Sequence, residues 1–221
     1  METLHVINIA VHVVAGSTAL LTGLVALSVK KGGKNHLLFG RVFTWMMGLV
    51  ILTGLMGVFA FKRNTFLLVL TLLSGYNCFS GIRAVKLGGK KPGGIDYWAP
   101  VTVMAAAVYY LYYIHSIGLY WSPVVIYSTI GALFLVTIYD LSKALMPVKL
   151  LKKTVIYEHI YKMVSALSGL ASAFTGTVFP DHKPYSQFLP SVLGLMCIIV
   201  IFIRVGNKPS LKSNPILHQS N

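Results

Sequence analysis

LHVINIAVHVVAGSTALLTGLVALSV, residues 4–29, contains no Asp, Glu, Lys or Arg and stops at Lys30-Lys31-Gly32-Gly33-Lys34. A helix rises about 1.5 Å per residue, so a run of this length spans the roughly 30 Å of hydrocarbon in a bilayer. The run has no basic segment before it and is too long for a signal peptide, so it reads as a retained first helix. Working outward, six further predominantly apolar runs follow at about 37–61, 65–85, 97–120, 124–145, 155–179 and 188–205, each closed by basic, Gly-rich or Pro-containing punctuation. Examples are Lys62-Arg63-Asn64, Lys86 to Gly94, Trp121-Ser122-Pro123, the basic linker Pro147 to Lys153, and Pro180 to Pro184.

The composition fits that reading. Of 221 residues, 56% are hydrophobic and 11% charged, too few charges to cover a soluble domain. The expected fold is all-α, a polytopic membrane bundle of seven transmembrane helices over residues 1–205. A disordered cytoplasmic tail is expected over 206–221. With the N-terminus outside and the C-terminus cytoplasmic, all of the nineteen Lys and Arg except Lys62, Arg63 and Lys183 fall on the inner side. This is the positive-inside bias of an inner-membrane protein. The net charge of +14 therefore points to the lipid bilayer and its anionic headgroups as the partner, not to nucleic acid. Trp98, Tyr97, Tyr120 and Trp121 are expected at span ends as interfacial aromatics.

Small residues recur at helical spacing in two runs: Gly16, Ala19, Gly23 and Ala26 in the first, and Ser165, Ser168, Gly169, Ser172, Ala173, Thr175 and Gly176 in the sixth. Both read as packing faces, because helices in lipid associate through close backbone approach and hydroxyl hydrogen bonds. The second face would also suit a polar pathway, the arrangement of a small transporter or channel component. Cys78 and Cys197 lie inside apolar runs and suggest no disulfide framework. Tyr109, Tyr110, Tyr112 and Tyr113 read as an aromatic belt, with a quinone or lipid pocket as the other use.

Ionisable residues at membrane depth are candidates for function. The acids Glu2, Asp96, Asp140, Glu158 and Asp181 fall at or near span ends, which leaves no paired carboxylates for acid–base chemistry inside the membrane. The histidines divide by leaflet: His12 and His115 outside, His36 and His159 inside. Two histidines at one depth on neighbouring helices could hold a b-type haem between them, and two such pairs would form a transmembrane electron path. In placement alone this resembles the di-haem cytochromes of the b561 type. The plain alternatives are an interfacial His115, a His36 that caps the second helix, and a His159 that orients a loop. A metal site from His36 and His159 would need further ligands, and no HExxH or Cys-rich motif supplies them. No lysine in the seventh run could form a retinal Schiff base, and no His/Asp cluster suits a zinc hydrolase.

Two segments carry a family resemblance. His12 to Gly16, Thr22 to Leu27, Lys31 to His36 and Gly40 to Phe43, together with Glu158 to Met163, resemble an uncharacterised bacterial multi-span membrane family catalogued only as a domain of unknown function. Leu37 departs from that pattern, which has a basic residue after the histidine. The resemblance marks His12, His36, Arg41, His159 and Met163 as cofactor-binding positions, beside His115 from the leaflet argument. It implies no activity. The expected function is accordingly a haem-binding or quinone-linked redox protein, with a protein partner, or else a small transporter, channel-like or structural membrane subunit.

Overall fold

In the computed structural model, which describes residues 2–61, 66–117 and 123–207, all regular structure among the described residues is helical. Seven α-helices follow one another: α1 (Glu2–Ser28), α2 (Lys34–Phe59), α3 (Phe66–Leu87), α4 (Gly94–Ile117), α5 (Pro123–Ser142), α6 (Val148–Val178) and α7 (Tyr185–Gly206). A single 3-10 turn (Pro180–His182) joins the last two. Five of them, α1, α2, α3, α5 and α7, are long and apolar enough to cross a membrane, which marks the chain as a membrane protein. Lys62, Arg63, Asn64, Tyr120, Trp121, Ser122 and the tail from Lys208 lie outside the described residues.

The chemistry of the helix ends explains the boundaries. Pro123 opens α5 at the position where its missing N–H is no loss, and Pro147 stands at the N-cap of α6 in an extended conformation. The expected linker from Pro147 to Lys153 is in fact the first turn and a half of α6. Lys149, Lys152 and Lys153 interrupt the apolar run without interrupting the helix, because lysine is a good helix former. Between α3 and α4 the chain turns through Gly88 (φ 56°) and Gly89 (φ 81°). At Gly89 a side chain is doubly barred, by the left-handed backbone and by Lys152, whose Cα would lie 2.6 Å from an added Cβ.

Helix α6 is the hub. It packs most heavily against α3 and α7 and also touches α1, while α1 pairs with α2, and α5 bridges α3 and α4. One apolar core joins α1, α2, α3 and α6 through Ala15, Ala19, Phe43, Met47, Cys78 and Leu167. Two others join α3, α4 and α5, around Val69, Tyr110 and Ile130 and around Tyr76, Leu133 and Val136. The small-residue stripe of α1 is a packing face, as its spacing predicts: a Cβ at Gly23 would meet Leu167 of α6 and Phe43 of α2. Outward-facing hydroxyls satisfy themselves. Thr18, Ser28 and Thr177 each donate to the carbonyl four residues earlier, which is how a hydroxyl survives against lipid. Tyr109, Tyr112 and Tyr113 face outward while Tyr110 is buried and belongs to the core. Trp98 is 72% exposed, one turn into α4.

Candidate functional site

The outer histidines are not brought together. His12 turns toward α2, where its Nδ1 lies 2.8 Å from Thr53 Oγ1. One turn earlier, Asn8 donates from Nδ2 to the Thr53 carbonyl at 3.1 Å. The two residues clamp α1 onto α2 at a buried threonine. His115 is exposed on the last turn of α4, with no hydrogen bond, ion pair or ring contact to another described residue. Since α1 packs on α2 and α6 whereas α4 packs on α3 and α5, the expected outer pair does not form.

The inner histidines do meet. The rings of His36 and His159 stand edge to face, 6.4 Å between centroids and 80° between planes. Each anchors its Nδ1 on a main-chain carbonyl at 3.0 Å, Ala26 at the end of α1 for His36 and Gly81 in α3 for His159. A carbonyl only accepts, so Nδ1 carries the proton on both rings, and in the neutral form each Nε2 keeps its lone pair. Because α6 begins at Val148, His159 lies three turns inside it and does not open the helix. Met163, one turn further, sits beside the same glycine: a Cβ at Gly81 would come within 3.0 Å of its sulfur. Arg41 is exposed on α2, five residues and so about 140° of helix rotation from His36, and is not gathered with the pair. Among the described residues no group of three or more His, Cys, Asp or Glu could hold a metal ion.

Among the described residues the main buried concentration of charge lies elsewhere, and draws two of the acids into one cluster. Asp140 near the end of α5, Lys143 just past it, and Glu158 and Lys162 of α6 form one buried cluster, with Lys162 only 1% exposed. Lys162 Nζ lies 2.5 Å and Lys143 Nζ 2.7 Å from Asp140 Oδ1, and Lys143 also reaches Glu158 Oε2 at 3.0 Å. Tyr76 of α3 donates its hydroxyl to the other Asp140 oxygen at 2.7 Å. Tyr139 and Thr154 donate to Glu158 Oε1 at 3.0 and 2.9 Å. Two carboxylates and two ammoniums cancel, and their hydrogen-bonding capacity is nearly filled, the condition under which buried charge is tolerated. Lys162, counted in the sequence among the inner connections, is therefore an interior residue. Lys143 bridges the carboxylates of Asp140 and Glu158.

A second ion pair fastens α3 to α4: Arg83 grips Asp96 with two parallel contacts of 2.7 Å, and the Gly93 N–H donates to the same carboxylate at 2.9 Å. Such a fork is stronger than a single contact and fixes orientation.

Beside the charge cluster is a cavity of about 260 Å³ between α3, α5, α6 and α7. Ser165, Ser168, Gly169 and Ser172 of α6 line it, the very hydroxyl face that the sequence marked, together with Asn77, Thr129, Gln187 and Ser191 and apolar side chains. Ser172 and Ser191 share a hydrogen bond of 3.0 Å across the α6–α7 seam, and Thr175 donates to the Ser186 carbonyl at 2.5 Å. The seam is tight enough that a Cβ at Gly194 would run into Ser168. The cavity and the cluster use successive faces of the same helices: Asn77 and Tyr161 line the cavity, while their neighbours Tyr76 and Lys162 belong to the cluster. No family model matches this chain, and no curated protein and no solved structure is significantly similar to it.

Proposed function

We propose that the chain is a seven-span protein of the cell inner membrane, N-terminus outside and C-terminus cytoplasmic, that works as a small transporter. In this reading its solute occupies the cavity between α3, α5, α6 and α7, and the Asp140–Lys143–Glu158–Lys162 cluster bars the way to the cytoplasm. The observation that carries it is the cavity's position on the hydroxyl face of α6. Helices α4 and α6 cross the bilayer as well in this reading, although length and composition alone mark only the other five. Glu158 and Lys162 of α6 are neutralised by their partners, and α4 is lowered in hydropathy mainly by aromatic residues. Under this topology the early residues of α5 and α7 put the cavity in the outer half of the membrane and the charge cluster in the inner half. Membership in the uncharacterised family that the His12, His36 and His159 segments resemble belongs to the same proposal.

The test is accessibility. In a Cys78→Ala/Cys197→Ala background, Ser191→Cys and Ser165→Cys are each treated with a membrane-impermeant methanethiosulfonate on intact cells and on inverted vesicles. A transporter predicts reaction at Ser191→Cys from the outer aqueous face. Cavity cysteines that react from neither side would overturn the transport reading.

A second reading rests on the approach of His36 to His159, as ligands of one b-type haem at the inner leaflet. Two imidazoles across one iron, their nitrogens about 4 Å apart, would hold their ring centroids roughly 6 Å apart; the observed spacing is 6.4 Å, and the edge-to-face rings have to turn for both Nε2 atoms to face one metal. The haem would supply one-electron chemistry. A partner, such as a quinone or a second protein, would have to complete any path across the membrane, because the outer pair is not formed. Protein expressed with haem supplied should show a Soret band that His36→Ala and His159→Ala each remove.

A further inference from the structure

We propose that the cavity takes an uncharged amphiphile dissolved in the bilayer, with one hydroxyl or amide group on an apolar body, admitted sideways between α5 and α7. The inference rests on reading the cavity as a solute site and names what that solute is.

Three observations converge on it. First, no ionised side chain lines the cavity: the nearby charges of Asp140 and Lys162 are spent on each other behind Tyr76 and Tyr161. A charged ligand would find no counter-charge there, and burying it unpaired is costly. Second, Asn77 on α3 is only 1% exposed, yet its carboxamide makes no hydrogen bond to any described residue, and Oδ1 is a buried, unpaired acceptor. A buried amide left in this state costs about 1–3 kcal/mol. A hydroxyl or amide on the ligand both gives and takes a hydrogen bond, so it satisfies the carboxamide in either orientation of the Asn77 side chain.

Third, the cavity has a wall on three sides only. Helix α5 packs on α3 and α4, α7 packs on α6, and no extensive packing joins α5 to α7. At that fissure the lining residues Ser128, Ser191 and Leu195 are exposed. Both flanking helices are apolar and expose apolar outer faces, so in a bilayer the fissure opens toward the hydrocarbon. The volume, equal to about nine waters at ~30 Å³ each, accommodates a phenol-sized head with part of a chain while the remainder lies in the fissure.

Three probes test the idea on the full-length protein in lipid nanodiscs: 4-hexylphenol, its methyl ether, which cannot donate, and hexyltrimethylammonium, which is charged. Thermal unfolding is measured with each. The phenol is expected to raise the midpoint by a few degrees, the ether less, and the cation not at all. Asn77→Leu should erase the difference between phenol and ether. Leu195→Trp, at the exposed rim and with no side-chain hydrogen bond to lose, should abolish both shifts. Equal shifts from phenol and ether that neither variant alters would overturn the inference, since the probes would then be acting through the lipid. No shift with any probe, while Ser191→Cys still reacts from water, would overturn it too and leave a water-borne solute in the same cavity. A shift with the phenol and no aqueous labelling would keep the ligand and refute transport.

Discussion

Lys162 of α6 and Asp140 of α5 meet across the protein interior at 2.5 Å, with 1% and 4% of their side chains exposed. Removing one partner from such a pair leaves a buried charge, whereas removing both leaves none. Lys162→Met is therefore expected to cost about 3–5 kcal/mol of stability. The double variant Lys162→Met/Asp140→Leu should be more stable than Lys162→Met alone, since Lys143 and Glu158 still pair. Unfolding in mild detergent, run as a double-mutant cycle, checks the sign. A double variant weaker than either single one would mean that the cluster is not held by charge compensation.

A glycine on α7 should respond oppositely to one on α5. Alanine normally stabilises a helix relative to glycine by about 0.5–1 kcal/mol. Gly131 on α5 has nothing within 4 Å of an added Cβ, so Gly131→Ala should leave stability equal or higher. At Gly194 the new methyl would press on both Oγ and Cβ of Ser168, so Gly194→Ala should lower the melting temperature by separating α7 from α6. Equal effects at the two positions would contradict the tight seam.

The two outer histidines should separate in the same assay. His12→Ala removes the contact to Thr53 and is expected to cost roughly 0.6–2 kcal/mol, the range for a hydrogen bond between membrane helices. His115→Ala, at an exposed position without partners among the described residues, should be silent in stability and in any visible spectrum.

The charge distribution fixes the expected topology. A fluorescent reporter that matures only in the cytoplasm should be active when fused after Gly33, Gly89 or Met146 and dark after His182. Activity after His182 would reverse the assignment of the cavity to the outer half.

Much of the fold is legible because lipid imposes a simple rule: an apolar run long enough to cross must be helical, and polar punctuation ends it. All seven helices lie where the runs predict them, and the largest displacement, the start of α6 at Val148, comes from three lysines that a helix carries easily. The charge cluster was half legible. Asp140 and Lys143 are three residues apart and Glu158 and Lys162 four, the spacings at which helical neighbours pair, and this was the signal that sorting charges by loop passed over. What no spacing reveals is that α5 and α6 bring the two pairs together, since that contact is set by packing on α3. For the same reason the hydroxyl face of α6 could be read, but not Asn77 and Ser191 opposite it. His36 and His159 both fall toward the inner ends of their runs, which implies a common depth; their actual approach depends on the carbonyls of Ala26 and Gly81, which a sequence does not display.

The internal pairing within each helix bears on how the chain is made. Asp140 has its lysine one turn away in the same segment, and Glu158 has its own one turn along α6. Within the proposed topology, each segment thus carries a counter-charge for its own buried acid as it leaves the ribosome. Neither acid then has to wait for the other segment to be neutralised, and the exchange of partners that locks the two together follows once both are in place.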